Sequence, residues 1–325
     1  MFTHGVNNTT SVAEGQLLSE KRKTEALTQL LPIGVLIILT NSVVFVLFCS
    51  RPSLRKAPNY LLFSLAICDF LNGSLNISLF ITVFIPVVKG ETFVTLICAL
   101  EVSHNFVAIT AACHIFLITA EKYLAVMRPL KYHVIKKRTM LLVIAGAWLT
   151  SAVVAAAPIG WFSMRYRKIP IGLVLESAFN IFCLFAVFVA PYSFIVFAHV
   201  AMFRKVWKRN RHRNRSNQYN RTSSRKCKKR NERKCVIIFA TMATIFAVCW
   251  LPWFALRLVY SLVKQRLIKP DYVAMEIAAH VILIVRYLTS AINPLLYTFF
   301  QARLLDSVET NGVKVIEKRN KTLVF

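Results

Sequence analysis

Two stretches, Phe246-Ala-Val-Cys-Trp-Leu-Pro252 and Asn293-Pro-Leu-Leu-Tyr297, each place a proline in the middle of a long apolar run. A proline inside a helix removes one backbone hydrogen bond and kinks the helix, and in a membrane the freed carbonyl can find a partner on a neighbouring helix. Asn293 and Tyr297 add polar groups that also need partners away from lipid. Two kinked helices with polar centres predict a membrane protein whose helices move relative to one another.

The composition is that of a membrane protein. Of the 325 residues, 56% are hydrophobic, and the mean hydropathy is +0.55. Soluble domains contain about 45–50% apolar residues. The net charge of +27 at pH 7 would suit nucleic-acid binding, but the basic residues are concentrated in segments between apolar runs. We therefore expect a lipid bilayer, and no nucleic acid, as a partner of this chain.

Seven apolar runs are long enough to cross a bilayer, which takes about 20 residues of helix. They cover roughly residues 26–49, 58–87, 94–127, 139–161, 172–203, 235–263 and 272–299. The sequence therefore predicts an all-α membrane protein, with a seven-transmembrane helix bundle over residues 26–299.

The charge distribution predicts the orientation of the bundle. Basic residues follow the first, third and fifth runs, and the densest group fills residues 204–234. Because positive charge marks cytoplasmic loops, we expect a multi-pass protein of the plasma membrane with an extracellular N-terminus. In the polar tail, residues 1–25, Asn7 and Asn8 head overlapping N-glycosylation acceptor sequences. No apolar signal-peptide segment precedes the first run, which is expected to act as a signal anchor.

Two cytoplasmic segments carry further predictions. Residues 204–234 form the third cytoplasmic loop, which is expected to be helical where it continues the fifth and sixth spans and disordered in its middle. Its charge either fixes the topology and binds anionic lipid, or provides a docking surface for a cytoplasmic partner. In residues 300–325, apolar residues first recur at helical spacing, which predicts a short amphipathic eighth helix followed by a cytoplasmic tail.

An ordered set of polar and aromatic residues runs through the spans. The set comprises Asn41-Ser-Val-Val, Leu65-Ala-Ile-Cys-Asp69, Glu121-Lys-Tyr123, Trp148, Pro191 and the two proline motifs. With these residues in this order, the chain resembles the class A, rhodopsin-like G-protein-coupled receptors over about residues 26–310. The resemblance implies a receptor that binds an extracellular ligand and activates a heterotrimeric G protein, with arrestin as a further expected partner.

The resemblance also implies a sodium and water pocket at the middle of the membrane. Its residues would be Asn41, Asp69, Ser290 and Asn293. Sodium at Asp69 is the one ion that the resemblance suggests, and no other cofactor is expected. The alternative is a packing node in which the aspartate and the asparagines are held by hydrogen bonds.

An activation switch is implied in the membrane centre and the cytoplasmic half of the bundle. It would use Glu121, Lys122, Tyr123, Pro191, His199, Glu232, Phe246, Pro252, Pro294 and Tyr297, with Pro129 and Leu130 contacting the G protein. The family has an arginine where this chain has Lys122 and a tyrosine where it has His199. Lysine keeps the charge but lacks the planar fork of arginine, so the restraint of the resting state by Glu121 and Glu232 should be weaker.

The ligand pocket is expected in the outer halves of the spans. Amine receptors of the family hold the ammonium group with an aspartate where this chain has His104, so an amine ligand is disfavoured. The candidate ligand-binding residues are Glu101, His104, Trp250, Arg257, Arg286 and Tyr287. Either an arginine of this set pairs with an anionic group of the ligand, or Glu101 and Arg286 form an internal ion pair, which we favour. A small molecule, a lipid and a peptide all remain open as ligands.

A membrane transporter or channel that uses the intramembrane charges is the alternative function. Against it, the sequence contains no inverted repeat, and its 9 glycines are few for discontinuous helices. An enzyme is not expected, because the seven histidines are scattered over spans and loops without metal-binding spacing. Of the eight cysteines, only Cys98 is expected near the outer surface, so no extracellular disulfide is predicted.

Overall fold

The computed structural model describes the backbone of residues 6–84, 90–132, 134–216, 223–269 and 271–296. Within these ranges the long segments are helical, and there is no strand. The helices are α1 (Val6–Ser50), α2 (Asn59–Leu71), α3 (Ile77–Phe84), α4 (Gly90–Met127), α5 (Pro129–Tyr132), α6 (Lys137–Ala156), α7 (Ile159–Tyr166), α8 (Pro170–Phe182), α9 (Ala190–Ser216), α10 (Ser223–Lys264) and α11 (Tyr272–Leu296). A short 3-10 helix, Pro52–Leu54, follows α1, and π-helical segments join α2 to α3 (Asn72–Asn76) and α8 to α9 (Cys183–Val189).

The prediction of seven spans is confirmed within the described part of the chain. The segments that are long and apolar enough to cross a membrane are Thr28–Ser50, Asn59–Val83, Gly90–Met127, Lys137–Tyr166, Pro170–Lys208, Val236–Lys264 and Tyr272–Leu296. Large apolar side chains lie on the outside of the bundle; Val46, Leu142 and Val248 are 62%, 65% and 65% exposed. Such a surface suits contact with lipid rather than with water.

The third span, α4, lies at the centre of the bundle and packs against the second, fourth and fifth spans. Leu65, Ile115, Phe246 and Trp250 belong to one continuous cluster of buried apolar side chains around it. Because lipid is as apolar as these side chains, close packing and hydrogen bonds hold the spans together.

A buried polar contact joins the second, third and fourth spans. The indole N–H of Trp148 donates to Ser64 Oγ at 2.8 Å, and the same oxygen lies 2.8 Å from His114 Nε2. The other ring nitrogen of His114 donates to the Thr110 carbonyl at 2.7 Å. Trp148 of the motif set is thereby fixed by two neighbouring helices.

The predicted tail and loops differ in part from the structure. Helix α1 begins at Val6, so residues 6–25 continue the helix of the first span; the side chains of Asn7 and Asn8 lie outside the described residues. Good helix formers such as alanine, leucine, glutamate and lysine follow these asparagines and favour this extension. The predicted eighth helix in residues 300–325 lies outside the described ranges.

The third cytoplasmic loop is helical at both ends, as predicted. Helix α9 extends to Ser216, and α10 begins at Ser223. The predicted disordered middle of this loop falls on residues 217–222, which the structure does not describe.

Gly73 lies where the first and second spans approach closely. A Cβ atom at this position would meet Ile37 Cγ2 at 2.8 Å and the Gly34 carbonyl oxygen at 3.3 Å. Gly73 belongs to the π-helical segment Asn72–Asn76. Only a glycine allows the two helices to pack this closely here.

The connection between the fourth and fifth spans is shorter than expected. The sequence suggests an outer loop over residues 163–171, whereas α7 ends at Tyr166 and α8 begins at Pro170. Lys168 turns the chain with a φ of 57°. A Cβ atom on Gly172 would lie 2.6 Å from the Arg165 backbone nitrogen, so the two helices meet backbone to backbone at this glycine. This turn, residues 167–169, places the side chain of Arg165 in the bundle.

Candidate functional site

Four charged side chains form a network in the outer half of the bundle. Arg165 of the fourth span donates to both carboxylate oxygens of Glu101 in the third span and also pairs with Glu176 in the fifth. Arg257 of the sixth span donates to Glu101 at 3.0 Å. All four are largely buried, and two arginines balance two glutamates. The network connects four spans without a net charge.

The predicted ion pair between Glu101 and Arg286 is wrong. Both oxygens of Glu101 are already engaged by Arg165 and Arg257. The sequence missed Arg165 because it follows the predicted end of the fourth span, in a segment that was expected to be a loop. The fourth span in fact continues to Tyr166, which brings this guanidinium into the bundle.

Arg286 instead lies in an aromatic environment without a counter-ion among the described residues. Its side chain is 0% exposed, and none of its guanidinium nitrogens makes a hydrogen bond of good geometry with the described residues. Its Cζ atom lies over the rings of Trp253, Tyr287 and Trp250 at 4.2, 4.9 and 5.4 Å from the ring centroids. Trp253, which sequence reasoning missed, is the second tryptophan of the sixth-span motif region.

Several of the predicted pocket residues do come together around this arginine. The Nε2 atom of His104 lies 2.8 Å from the Tyr287 hydroxyl. His104 also contacts Trp253 edge to face, with 6.0 Å between ring centroids. Thus His104, Trp250, Arg286 and Tyr287 form one buried cluster between the third, sixth and seventh spans. Arg257 and Glu101 belong to the charge network instead.

A column of contacting aromatic rings leads from this cluster along the sixth span and across to the fifth. Trp250 stacks on Phe246 at 5.5 Å between ring centroids, and Phe246 stacks on Phe188 at 6.3 Å. Phe188 lies in the π-helical segment that ends immediately before Ala190 and the half-buried Pro191. Proline cannot donate to the helical ladder, which accounts for the irregular backbone before it. The column therefore connects the buried cluster to the π-helical segment of the fifth span and to the sixth span near Pro252.

The polar residues predicted at the middle of the membrane are in contact. The Asn293 amide donates to Asp69 at 3.0 Å, and the Asn41 amide donates to the Ser290 carbonyl at 3.1 Å. The side-chain oxygens of Asn41 and Asn293 are buried and lack partners among the described residues. Orphaned oxygens beside a carboxylate fit a hard cation or ordered water. The contact between Asp69 and Asn293 is equally what a packing node would show.

A ladder of polar side chains continues outward from this cluster, and sequence reasoning did not assign it a role. Asn72 donates to Ser290 Oγ at 3.0 Å, Asn76 donates to Asn72 at 2.9 Å, and Ser103 donates to Asn76 at 2.6 Å. Both asparagines are completely buried, so they are out of reach of glycosylation. The sequence could have indicated the contact between Asn72 and Asn76, because a spacing of four residues places both on one helix face.

At the cytoplasmic end, Lys122 contacts two helices. Its Nζ atom pairs with Glu121 at 2.8 Å and lies 4.9 Å from the ring centroid of Phe239 in the sixth span. The Tyr132 hydroxyl donates to Glu121 from the short helix α5. The side chain of Glu232 lies outside the described residues, so the other half of the predicted restraint stays a prediction.

Other switch residues are placed only in part. His199 Nδ1 donates to the Ile195 carbonyl at 2.8 Å, while its Nε2 is buried without a partner in the described part of the chain. Pro252 lies inside α10, and Pro294 lies near the end of α11. Tyr297 falls outside the described residues. Tyr123 packs edge-on against Phe194 of the fifth span, at 6.0 Å between ring centroids.

The predicted contact residues for a cytoplasmic partner are exposed. Pro129 and Leu130 begin helix α5, and Leu130 is 86% exposed. Nearby, Lys205 Nζ donates to the Met127 carbonyl at 2.8 Å, so the fifth span satisfies a carbonyl at the end of the third.

Comparison with known proteins identifies the family. The family described as 7 transmembrane receptor (rhodopsin family) matches residues 40–297. The chain therefore belongs to the rhodopsin family of seven-transmembrane receptors, and it is a multi-pass membrane protein. This is a family of receptors rather than enzymes, and it favours the receptor hypothesis over a transporter or channel.

The relatives of this chain are receptors that are named for different ligands. The allatostatin-A receptor of Bombyx mori is 25% identical and aligns with 90% of this chain and 81% of its own length. The octopamine receptor beta-2R of Chilo suppressalis is 24% identical, with 83% of this chain and 75% of its own length aligned. The histamine H2 receptor of Homo sapiens is 25% identical, with 82% and 74% aligned. Peptide and amine receptors are thus about equally similar, which leaves the ligand of this chain open.

Proposed function

We propose that this protein is a plasma-membrane receptor with an extracellular N-terminus that activates heterotrimeric G proteins when a ligand binds in the outer half of its bundle. The observation that carries the proposal is the aromatic column of Trp250, Phe246 and Phe188. It begins at the candidate ligand pocket and lies next to Pro252, where the sixth span can bend. A change at the pocket can therefore reach the cytoplasmic half of the sixth span through direct packing contacts.

The proposed movement is an outward swing of the cytoplasmic end of α10 about Pro252. A ligand that displaces Trp250 changes its stacking on Phe246 within the same helix. At the cytoplasmic end, the contact between Lys122 and Phe239 joins the third and sixth spans in the structure described. An outward swing breaks this contact. The energy needed is modest, since one cation–π contact contributes about 0.5–2 kcal/mol.

Asn41, Asp69, Ser290 and Asn293 would hold a sodium ion if one binds at the middle of the membrane. A bound cation there would supply a positive charge that neutralises the buried carboxylate. The residues themselves link the first, second and seventh spans through their hydrogen bonds. A rearrangement of the seventh span would therefore change these contacts.

The partner on the cytoplasmic side is proposed to be a G protein, with arrestin as a second partner of the active state. The exposed apolar side chain of Leu130 lies in the chain between the exposed basic residues Arg128 and Lys131. An apolar centre within a charged surround is typical of a protein interface.

Ligand-independent nucleotide exchange tests the proposal. We would place the full-length receptor in lipid nanodiscs and measure GTPγS binding by purified heterotrimers of each Gα class. Phe239→Ala, which removes the contact with Lys122, should raise exchange above wild type for at least one class. Adding Leu130→Ala to this variant should lower exchange again, whereas adding Leu267→Ala, at the exposed outer end, should not. The proposal fails if neither wild type nor Phe239→Ala stimulates any class over empty nanodiscs.

A further inference from the structure

Arg286 is an unusual residue for the interior of a membrane protein. It is fully buried, and none of its three guanidinium nitrogens makes a hydrogen bond of good geometry among the described residues; the adjacent Tyr287 is neutral and leaves the positive charge uncompensated. An unpaired buried charge is costly, and charged groups at such depth are normally paired. A group kept in this state indicates a function rather than a contribution to folding.

The aromatic rings around Arg286 compensate the charge only in part. The faces of Trp253, Tyr287 and Trp250 attract the cation electrostatically. They do not replace the oxygen atoms that a guanidinium fork binds in its own plane. The donors of Arg286 therefore remain available to an oxyanion.

The described carboxylates near the pocket do not fill this role. Glu101 is bound by Arg165 and Arg257, and Glu176 is bound by Arg165. The charge network contains two glutamates and two arginines, so it has no further carboxylate that could neutralise the charge of Arg286. Asn105, next in the chain to His104, accepts a hydrogen bond from Arg257, and its Nδ2 is a second buried donor without a partner among the described residues.

We propose that the ligand of this receptor carries a carboxylate, or an equivalent planar oxyanion, that binds the guanidinium of Arg286. The inference rests on the proposed function and adds the ligand class to it. The rings of Trp250 and Trp253 would pack against an apolar part of the ligand. The hydrogen-bonded pair of His104 and Tyr287 offers the polar groups that fix its orientation.

Thermal melting of the purified receptor tests this inference without a G protein. The probes are formate, acetate and benzoate, each compared with its neutral amide at constant ionic strength. We expect at least one carboxylate to raise the melting temperature with increasing concentration, while its amide of the same shape does not. The apparent Kd of that carboxylate should weaken by roughly tenfold or more in Arg286→Met. Arg286→Lys, which keeps the charge without the fork, should be intermediate.

Two controls separate a ligand role from a structural role. Arg167→Met removes an exposed outer arginine and should leave the carboxylate effect unchanged. Without any probe, Arg286→Met should melt at or above the temperature of wild type, because the unpaired buried charge is gone.

Equal shifts by carboxylates and amides, or an equal carboxylate effect in wild type and Arg286→Met, would overturn the inference. An Arg286→Met protein that cannot fold would also count against it. If the carboxylate effect holds but no G protein responds, the proposed function is wrong and the oxyanion site stands.

Discussion

Lys122 joins the cytoplasmic ends of two spans with a single ammonium group. It forms an ion pair with Glu121 in its own helix and a cation–π contact with Phe239 in the sixth span. An ammonium is a point charge that cannot bind a carboxylate with a planar fork. That the resting restraint at this position is weak stays a prediction, which the following exchange tests.

Exchanging Lys122 for arginine should strengthen this restraint. A guanidinium can bind Glu121 with two hydrogen bonds and stack on the Phe239 ring at the same time. Relative to lysine, this stabilises the resting state by about 0.5 kcal/mol or more. We expect basal nucleotide exchange to fall roughly twofold in Lys122→Arg. Lys131→Arg, an exposed exchange of the same kind in α5, is the matched control. Exchange that is higher in Lys122→Arg than in wild type would rule out a weak restraint.

Residues in the motif set could be placed from the sequence, whereas charge pairs could not. The contact between Asp69 and Asn293 follows from motifs that fix the depth of both side chains. The partner of Glu101 depends on where the fourth span ends. The sequence predicted an end at residue 161, whereas the span ends five residues later, at Tyr166. The shift was enough to bring Arg165 into contact with Glu101, and no carboxylate among the described residues pairs with Arg286.

At the scale of the helices, close approach depends on single glycines. Gly73 in the π-helical segment of the second span lies against Ile37 of the first, which is fully buried. The same segment carries Asn72 and Asn76, which reach Ser290 of the seventh span directly and through each other. The position of this segment therefore depends on the packing of the first two spans.

A methyl group at Gly73 should disturb this packing. Gly73→Ala would force a shift of Ile37, and we expect a loss of about 1–3 kcal/mol in stability, measured as a lower melting temperature in nanodiscs. Gly146→Ala in the fourth span is the matched control, because its new methyl group meets no atom within 4 Å. That variant should be neutral or slightly stabilising. Equal melting of both glycine variants would refute the close contact.

The element boundaries show what periodicity can and cannot predict. Apolar length predicted all seven spans, because each must cover the same hydrocarbon thickness. The π-helical segments were not predicted, since one additional residue in a helical turn leaves no signal in composition. The helical start at Val6 was also missed, because polar residues there suggested a tail.

At the scale of the whole molecule, the outer charge network holds the bundle together across four spans. Glu101, Arg165, Glu176 and Arg257 come from the third, fourth, fifth and sixth spans in turn. Breaking one member of a buried network leaves a partner uncompensated, which is worse than removing an ion pair as a whole.

Removing Arg165 alone should therefore destabilise more than removing it together with Glu176. We expect Arg165→Met to cost up to about 3 kcal/mol, because it leaves two buried carboxylates with one arginine. Arg165→Met combined with Glu176→Gln retains the balanced pair of Glu101 and Arg257 and should melt higher than the single variant. Melting temperatures of both, with exposed Arg167→Met as control, measure this coupling. A double variant that is less stable than Arg165→Met would show that the glutamate is not compensated by Arg165.

The turn at residues 167–169 has a mechanical consequence. With Gly172 packed on the backbone of Arg165, the outer ends of the fourth and fifth spans form one stiff corner. A displacement of the outer end of either helix is then expected to displace the outer end of the other. A compound that binds to the fourth span from the surrounding lipid would shift the position of Glu176 and, through Arg165, that of Glu101. We therefore expect a compound bound at the outer ends of the fourth and fifth spans to alter the charge network without touching Arg286.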